Sequence, residues 1–247
     1  MAYADRADGP GRSRAPASGR AALLTALDLA ARAGRSLEDA VPAGTAELFG
    51  VAALTVDGTT REGRLELVWS DPPRGLGTEL NELQFALGDG PGAEVQRSGV
   101  RVEEPDVATA APGRWPVFLP AAARTRLRAL TALPLSVGAA TIGVLTAYRT
   151  TAGGLSPARM RGLERLAAAL VPLLLNIPAA GEDHGRHPPG LHHAAIHQAT
   201  GFLAERLRIT TDQALLRLRA YAVAHDKPLT DLAREVLTDR LPASTWN

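Results

Sequence analysis

The sequence contains no cysteine. A disulfide, a thiolate nucleophile, a zinc–cysteine site, an iron–sulfur ligand and a thioether-linked chromophore are therefore excluded. Histidine is missing from most of the chain: His184, His187, His192, His193, His197 and His225 are the full set. Residues 20–176 thus cannot ligate haem through histidine or relay a phosphoryl group through one. Lysine occurs once, at Lys227, beside 26 arginines and 46 alanines, a bias expected of a GC-rich genome rather than of a function. Arginine abundance is accordingly weak evidence for nucleic-acid binding. Long apolar runs are absent as well. The longest, 166–175, has ten residues and includes Pro172, against the roughly 20 needed to span a bilayer. The first 19 residues lack the apolar core of a signal peptide and read as a disordered tail, so the expected location is the cytoplasm.

What is present is enough for two ordinary domains: 247 residues, 45% of them hydrophobic, with a net charge of +1 that gives no global field toward nucleic acid or membrane. From Arg20 apolar residues recur at helical spacing to Gly34, which predicts a helix over 20–33. Ser36, three residues before Asp39, caps a second helix expected to run to about 49, with Pro42 disturbing its first turns. Short strand-like runs at 51–56 and 65–69 flank a turn at 57–63 and read as neighbouring antiparallel strands. The Pro- and Gly-rich middle contains possible helices at 76–85 and 91–97 and a short strand at 100–103. Strands at 127–136 and 141–148 form a second hairpin. Ser156 then caps a long helix bearing Leu163, Leu166, Leu170 and Leu174. This is an α+β layout: an antiparallel sheet flanked by helices over 20–176. Residues 177–190 read as a linker, and 191–241 as a small all-α domain of three helices. Thr210 and Gln213 have capping-box spacing there, and Pro228 suits the first turn of the last helix.

Motifs with chemistry are sparse. No G-x-S-x-G elbow, phosphate-binding G-x-x-x-x-G-K-[ST] loop or H-E-x-x-H helix occurs. His193 and His197 stand i, i+4 on one helix face, but the sequence places no acidic third ligand beside them, so they read as solvated or capping groups, with no metal and no cofactor expected. Gly88-Asp89-Gly90-Pro91-Gly92 either turns the chain or offers backbone N–H groups to an anion. Over 191–241 seven basic residues face six acidic ones, so there is no broad basic patch.

Two resemblances are specific. Leu87-Gly88-Asp89-Gly90-Pro91-Gly92, then Arg114-Trp115-Pro116-Val117-Phe118, then Ala132-Leu133-Pro134-Leu135 with Ile142-Gly143-Val144-Leu145 resemble the GAF domains of actinobacterial regulators. Gly92 stands where that subgroup usually has cysteine, which removes thiol-based sensing, and an enzymatic GAF such as a sulfoxide reductase would need cysteines too. Ala199, Gly201, Leu203, Gln213-Ala214, Leu218-Arg219, Ala222 and Leu232-Ala233 resemble the ANTAR domain.

The resemblance implies a non-enzymatic regulator whose ANTAR domain binds paired stem-loops in nascent RNA and prevents transcription termination under control of the GAF domain. RNA would be met by a few positioned groups, with Arg219, Tyr221, Arg217, Lys227 and Thr200 the RNA-binding candidates. A small-molecule ligand of the GAF domain would be held without covalent attachment near Phe85, Asp89, Arg114 and Trp115, although the favoured reading of Arg114-Trp115 is that they clamp the insertion instead. A homodimer is expected, through a seam of Leu163, Leu166, Leu170 and Leu174, or through Leu216, Ala220 and Val223 on the outer face of the second carboxy-terminal helix. Read from the residues alone, a DNA-binding factor or a helical interaction module remains open.

Overall fold

A computed structural model of the protein describes residues 15–60, 63–111, 113–176, 193–238 and 246. Helix α1 (Ala15–Arg32) opens it, followed by the short helices α2 (Leu37–Ala40) and α3 (Thr45–Phe49). The expected tail of 1–19 is thus helical from Ala15. The signal missed there is Gly19, which looks like a loop residue but lies where α1 crosses α3, since a Cβ at that position would sit 2.9 Å from Leu48. The single helix expected to reach 49 is broken after α2, around Pro42 and a left-handed Gly44. The Asp71 carboxylate accepts from Gly44 N at 3.1 Å and Ala46 N at 2.6 Å and so fixes the start of α3.

Strands β1 (Ala53–Thr59) and β2 (Leu65–Asp71) pair antiparallel. β1 runs further than expected, to Thr59, and Thr60 N donates to Arg64 O. The insertion follows as α4 (Leu76–Leu87), α5 (Pro91–Ser98), β3 (Val102–Glu104) and α6 (Phe118–Ala122), the last without a sequence signal. Strands β4 (Ala129–Val137) and β5 (Ala140–Arg149) complete an antiparallel sheet of order β2-β1-β5-β4-β3. Helix α7 (Pro157–Leu175) starts at Ser156, whose side chain accepts from Arg159 N.

Alternation along the strands divides the core. Leu133, Leu135, Leu145 and Ala147 face α1 and α7, while Leu130, Ala132, Val144 and Tyr148 face α4, α5 and α6. Both faces are covered, so the central strands read as continuous apolar runs. The leucines expected as a dimer seam, Leu163, Leu166, Leu170 and Leu174, are buried in this core together with Leu173. They contact α1 and the sheet within one chain, because a helix lying between another helix and a sheet buries more than one stripe. Leu175 is exposed.

The carboxy-terminal unit comprises α8 (Ala194–Leu207), α9 (Thr211–Ala224) and α10 (Leu229–Leu237). The capping box forms as its spacing requires, with Gln213 N on Thr210 Oγ1 at 3.2 Å and Thr210 N on Gln213 Oε1 at 3.1 Å. Pro228 sits one position before α10, at its N-cap. Ile196, Ala199, Leu203, Leu218, Leu232 and Val236 fill the centre, and Phe85 of α4 belongs to the same cluster. The carboxy-terminal core is therefore completed by a residue of the sheet domain. The linker read at 177–190 lies outside the described residues. No described helix is long and apolar enough to cross a membrane.

Gly58 and Gly143 stand opposite each other on β1 and β5, and Leu174 packs on both. A Cβ on Gly143 would collide with the Asp57 carbonyl and come within 2.7 Å of Leu174 Cδ2. Gly143→Ala should lower stability by about 1–3 kcal/mol through overpacking, read as a depressed midpoint in urea unfolding. An unchanged midpoint would mean that α7 does not rest on the sheet here.

Candidate functional site

The chemistry-bearing side chains converge where α4 and β2 meet α8 and α9. On β2, Glu66 lies between Leu65 and Leu67 and is buried. Its Oε2 is 3.1 Å from His193 Nδ1, and its Oε1 meets His197 Nε2. The i, i+4 spacing that put both imidazoles on one face of α8 thus points them at a single carboxylate. Burial alone would raise the Glu66 pKa, but hydrogen bonds to His193 and His197, and their charges, hold it down at about 2. With Glu66 ionised, each ring nitrogen facing it must carry the proton. His193 is itself buried, with Nε2 unpartnered among the described residues, and it stands at the N-cap of α8 without a side-chain cap bond, which corrects its reading as a solvated or capping group. The third acidic partner that the sequence could not place is Glu66, distant in sequence. No group of three or more His, Asp or Glu among the described residues is arranged to hold a metal ion.

Phe85 seals this cluster. Its ring stacks on His193 at 3.6 Å and 6°, and meets His197 edge-on at 5.8 Å. The Arg219 guanidinium of α9 lies 5.4 Å from the same ring, where cation–π attraction operates. Beside it a cavity of about 190 Å³ is lined by residues including Arg64, Asp57, Asn81, Gln84, Gly88 and Arg219. Asp57 is pushed up to about 7, mainly by burial, with a hydrogen bond from Asn81 opposing and the Glu66 charge reinforcing the shift. Arg64 spans the two units as well, its Nη1 2.9 Å from Asp212 Oδ1.

Comparison with known proteins now gives the architecture a family. A GAF domain model matches residues 26–174 and an ANTAR domain model matches residues 191–237. The chain belongs to the GAF family and ends in an ANTAR domain. Its fold is similar to the GAF domain of a phosphoenolpyruvate-protein phosphotransferase from Coxiella burnetii, with 16% identity over 67% of this chain and 98% of that one and a TM-score of 0.50. The corresponding domain from Acinetobacter shares 15% identity over 67% and 98% at a TM-score of 0.48. Free methionine-R-sulfoxide reductase from Neisseria meningitidis, solved with its substrate, shares 18% over 71% and 96% at 0.48. No curated protein sequence matches the chain.

The residues singled out for the GAF domain do not line one cavity. Asp89 Oδ2 accepts from Val117 N and Phe118 N, both at 3.1 Å, and so fixes the start of α6. Trp115 is buried, held at positive φ, and donates from Nε1 to Glu94 Oε2 at 2.7 Å. Arg114 bonds Glu104 Oε2 at 2.9 Å and lies over the Trp115 ring at 4.4 Å. This trio clamps the insertion. Phe85 parts from them because it is five residues beyond Leu80, about 140° around α4 at 100° per residue, and so faces the ANTAR helices rather than the sheet. The Gly-rich segment is likewise occupied internally, with Gly92 N donating to Gln84 Oε1 at 2.8 Å.

The RNA-binding candidates also separate. Thr200 is buried and donates to Ile196 O at 2.7 Å, and Arg219 is turned onto the GAF domain. Arg217 is exposed and reaches Trp246 O, Tyr221 stacks on His225, and Lys227 pairs with Glu235. Glu66, Asp57 and Arg64 were missed. The available signal was an acidic residue at an inward position of an apolar strand, visible at Glu66 between two leucines and at Asp57 after Val56.

Glu66 binds fewer protons when packed than when free, so its contribution is present above its ordinary value of 4.5 and is lost as pH falls toward 2. Glu66→Gln should flatten the acid limb of the stability–pH curve over that window, measured by calorimetry from pH 5 downward. A limb as steep as that of the wild type would show that Glu66 does not carry the tie between the domains.

Proposed function

We propose that this protein is a cytoplasmic, signal-responsive RNA-binding regulator of transcription termination, without enzymatic activity, in which the GAF domain governs the ANTAR domain. The succession of the two domains carries the reading. The position of Arg219 supports a mechanism for that control. It occupies the Leu-Arg position of the ANTAR resemblance, yet it lies over Phe85, and a Cβ on Gly88 would stand 2.8 Å from its Nη1. While α9 packs in this way, the GAF domain withholds Arg219 from any RNA. Release of the Glu66–His193–His197 tie would return it to solvent, together with the already exposed Arg217. The near-balanced charge of the ANTAR helices favours a few positioned contacts to loop bases and phosphates over a broad electrostatic surface.

The full chain should bind a tandem stem-loop RNA in preference to duplex DNA of the same sequence. Arg217→Ala should weaken that complex by about 1–3 kcal/mol, the range for a charged hydrogen bond. Filter binding at several salt concentrations measures both. Tighter binding to the duplex would favour the DNA-binding alternative, and an unchanged affinity would leave Arg217 as surface charge.

The paired stem-loops suit two copies of the chain. Leu216 and Val223 are 66% and 59% exposed on α9, with exposed Ala220 between them in the sequence. We assign the homodimer contact to this face, in place of the buried leucines of α7. In sedimentation, a Leu216→Glu, Val223→Glu double variant should be a folded monomer at concentrations where the wild type is dimeric. A wild-type monomer at micromolar concentration would remove the assignment.

A further inference from the structure

The cavity of about 190 Å³ beside Phe85 has a charge pattern that the GAF–ANTAR pairing does not explain. Three arginines, Arg64, Arg97 and Arg219, line it against one aspartate, Asp57. The negative groups nearby are already engaged. Asp57 accepts from Asn81, Glu66 is held by the two histidines, and Asp212 pairs from outside with Arg64 while its own side chain is 82% exposed. The Nε atoms of both Arg64 and Arg219 are buried and find no acceptor among the described residues. Burial and the charge of Arg64 both disfavour protonated Arg219, so the two guanidinium groups repel across the boundary between the domains. A buried Nε–H without an acceptor is costly, and this cavity holds two of them. The floor is formed in part by Gly88 and Gly92, where added Cβ atoms would stand 2.8 Å from Arg219 Nη1 and 3.1 Å from Gln84 Oε1. The absence of side chains at these two positions keeps the cavity open.

The geometry points to an anion site shared by the two domains, in which Arg64 of the GAF domain and Arg219 of the ANTAR domain together hold a phosphate group. Guanidinium forks match phosphate oxygens with two parallel hydrogen bonds each, and a doubly charged group between them replaces repulsion by two attractions. The volume lies below the roughly 300 Å³ at which drug-sized ligand sites begin, a size that suits inorganic phosphate or a short phosphomonoester. Because one arginine comes from each domain, the anion binds the packed arrangement more tightly than the released one and shifts the population toward it. In this form the inference rests on the proposed control of the ANTAR domain by the GAF domain and supplies a chemical class for its ligand.

The test is calorimetric titration of the full chain with inorganic phosphate, and separately with glycerol 3-phosphate, at ionic strength matched with chloride. Saturable one-to-one binding is expected, at least tenfold weaker in Arg64→Gln and in Arg219→Gln and unchanged in Arg161→Gln, which is remote from the cavity. The two titrants separate the sources: tighter binding of one identifies free phosphate or the ester as the better occupant. Arg64→Lys and Arg219→Lys keep the charge and protect against loss of fold, and they should bind with intermediate affinity because the fork is lost. Absence of saturable binding for both titrants, or equal affinity in the wild type and the glutamine and lysine variants, would overturn the site. The titration contains no RNA, so its failure leaves the proposed function standing, and failure to bind RNA leaves the site standing.

Discussion

The arrangement of the two domains depends on one buried carboxylate. Glu66 comes from a strand whose neighbours face a hydrocarbon core, and its charge is tolerated only because His193 and His197 arrive from another domain to meet both oxygens. Neither partner is satisfied without the other. Withdrawing α8 would hydrate Glu66 and forfeit the tie, whereas replacing one partner in place would strand the remaining charge, which is the costly case for buried ionic groups. Phe85 excludes water from the cluster by stacking on His193, and the same ring carries Arg219 on α9. Two ANTAR helices are thereby registered on a single aromatic residue at the end of one GAF helix.

The peripheral contacts are of a different kind. Arg64 and Asp212 pair across the boundary, but with Asp212 largely exposed such a pair contributes about 0–1 kcal/mol and is screened by salt. Helices α4 and α9 meet mainly through Phe85 and Arg219. A boundary with one buried polar cluster and weak surroundings has few intermediate states: the cluster is either formed or hydrated. That is the physical requirement for a two-state element whose balance a modest differential affinity can move.

Local signals in the sequence located most of the elements. The capping box at Thr210 and Gln213, the cap at Ser156 and the hairpin of β4 and β5 are set by residues within a few positions of one another, and each appears where its spacing puts it. What could not be read locally was decided by contacts distant along the chain. Gly19 is helical because α3 crosses there, α6 exists because Asp89 caps it, and the leucines of α7 are consumed by α1 and the sheet. The functional residues follow the same division. The family motifs at 87–92 and 114–118 are legible, but Asp89, Arg114 and Trp115 turn out to hold the insertion together, while Glu66 and Arg64 carry no motif.

The burial of Arg219 also bears on how specificity and control can coexist in so small an output domain. An arginine kept on the ANTAR surface would bind polyanions at all times, with a salt-dependent affinity that reports nothing about a signal. Placing it over Phe85 and against Gly88 removes that background, at the expense of a guanidinium with an unpartnered Nε. The strain is confined to the boundary, because Arg217 and Lys227 find partners on their own domain. A charge held unsatisfied in one arrangement and free in another biases both equilibria that involve it. It weakens the packed state relative to a packing of apolar residues, and in the proposed regulator it would strengthen RNA binding once the packing opens. On that proposal the same residue would link the stability of the boundary to the affinity of the output domain, without any need for a structural change inside either domain.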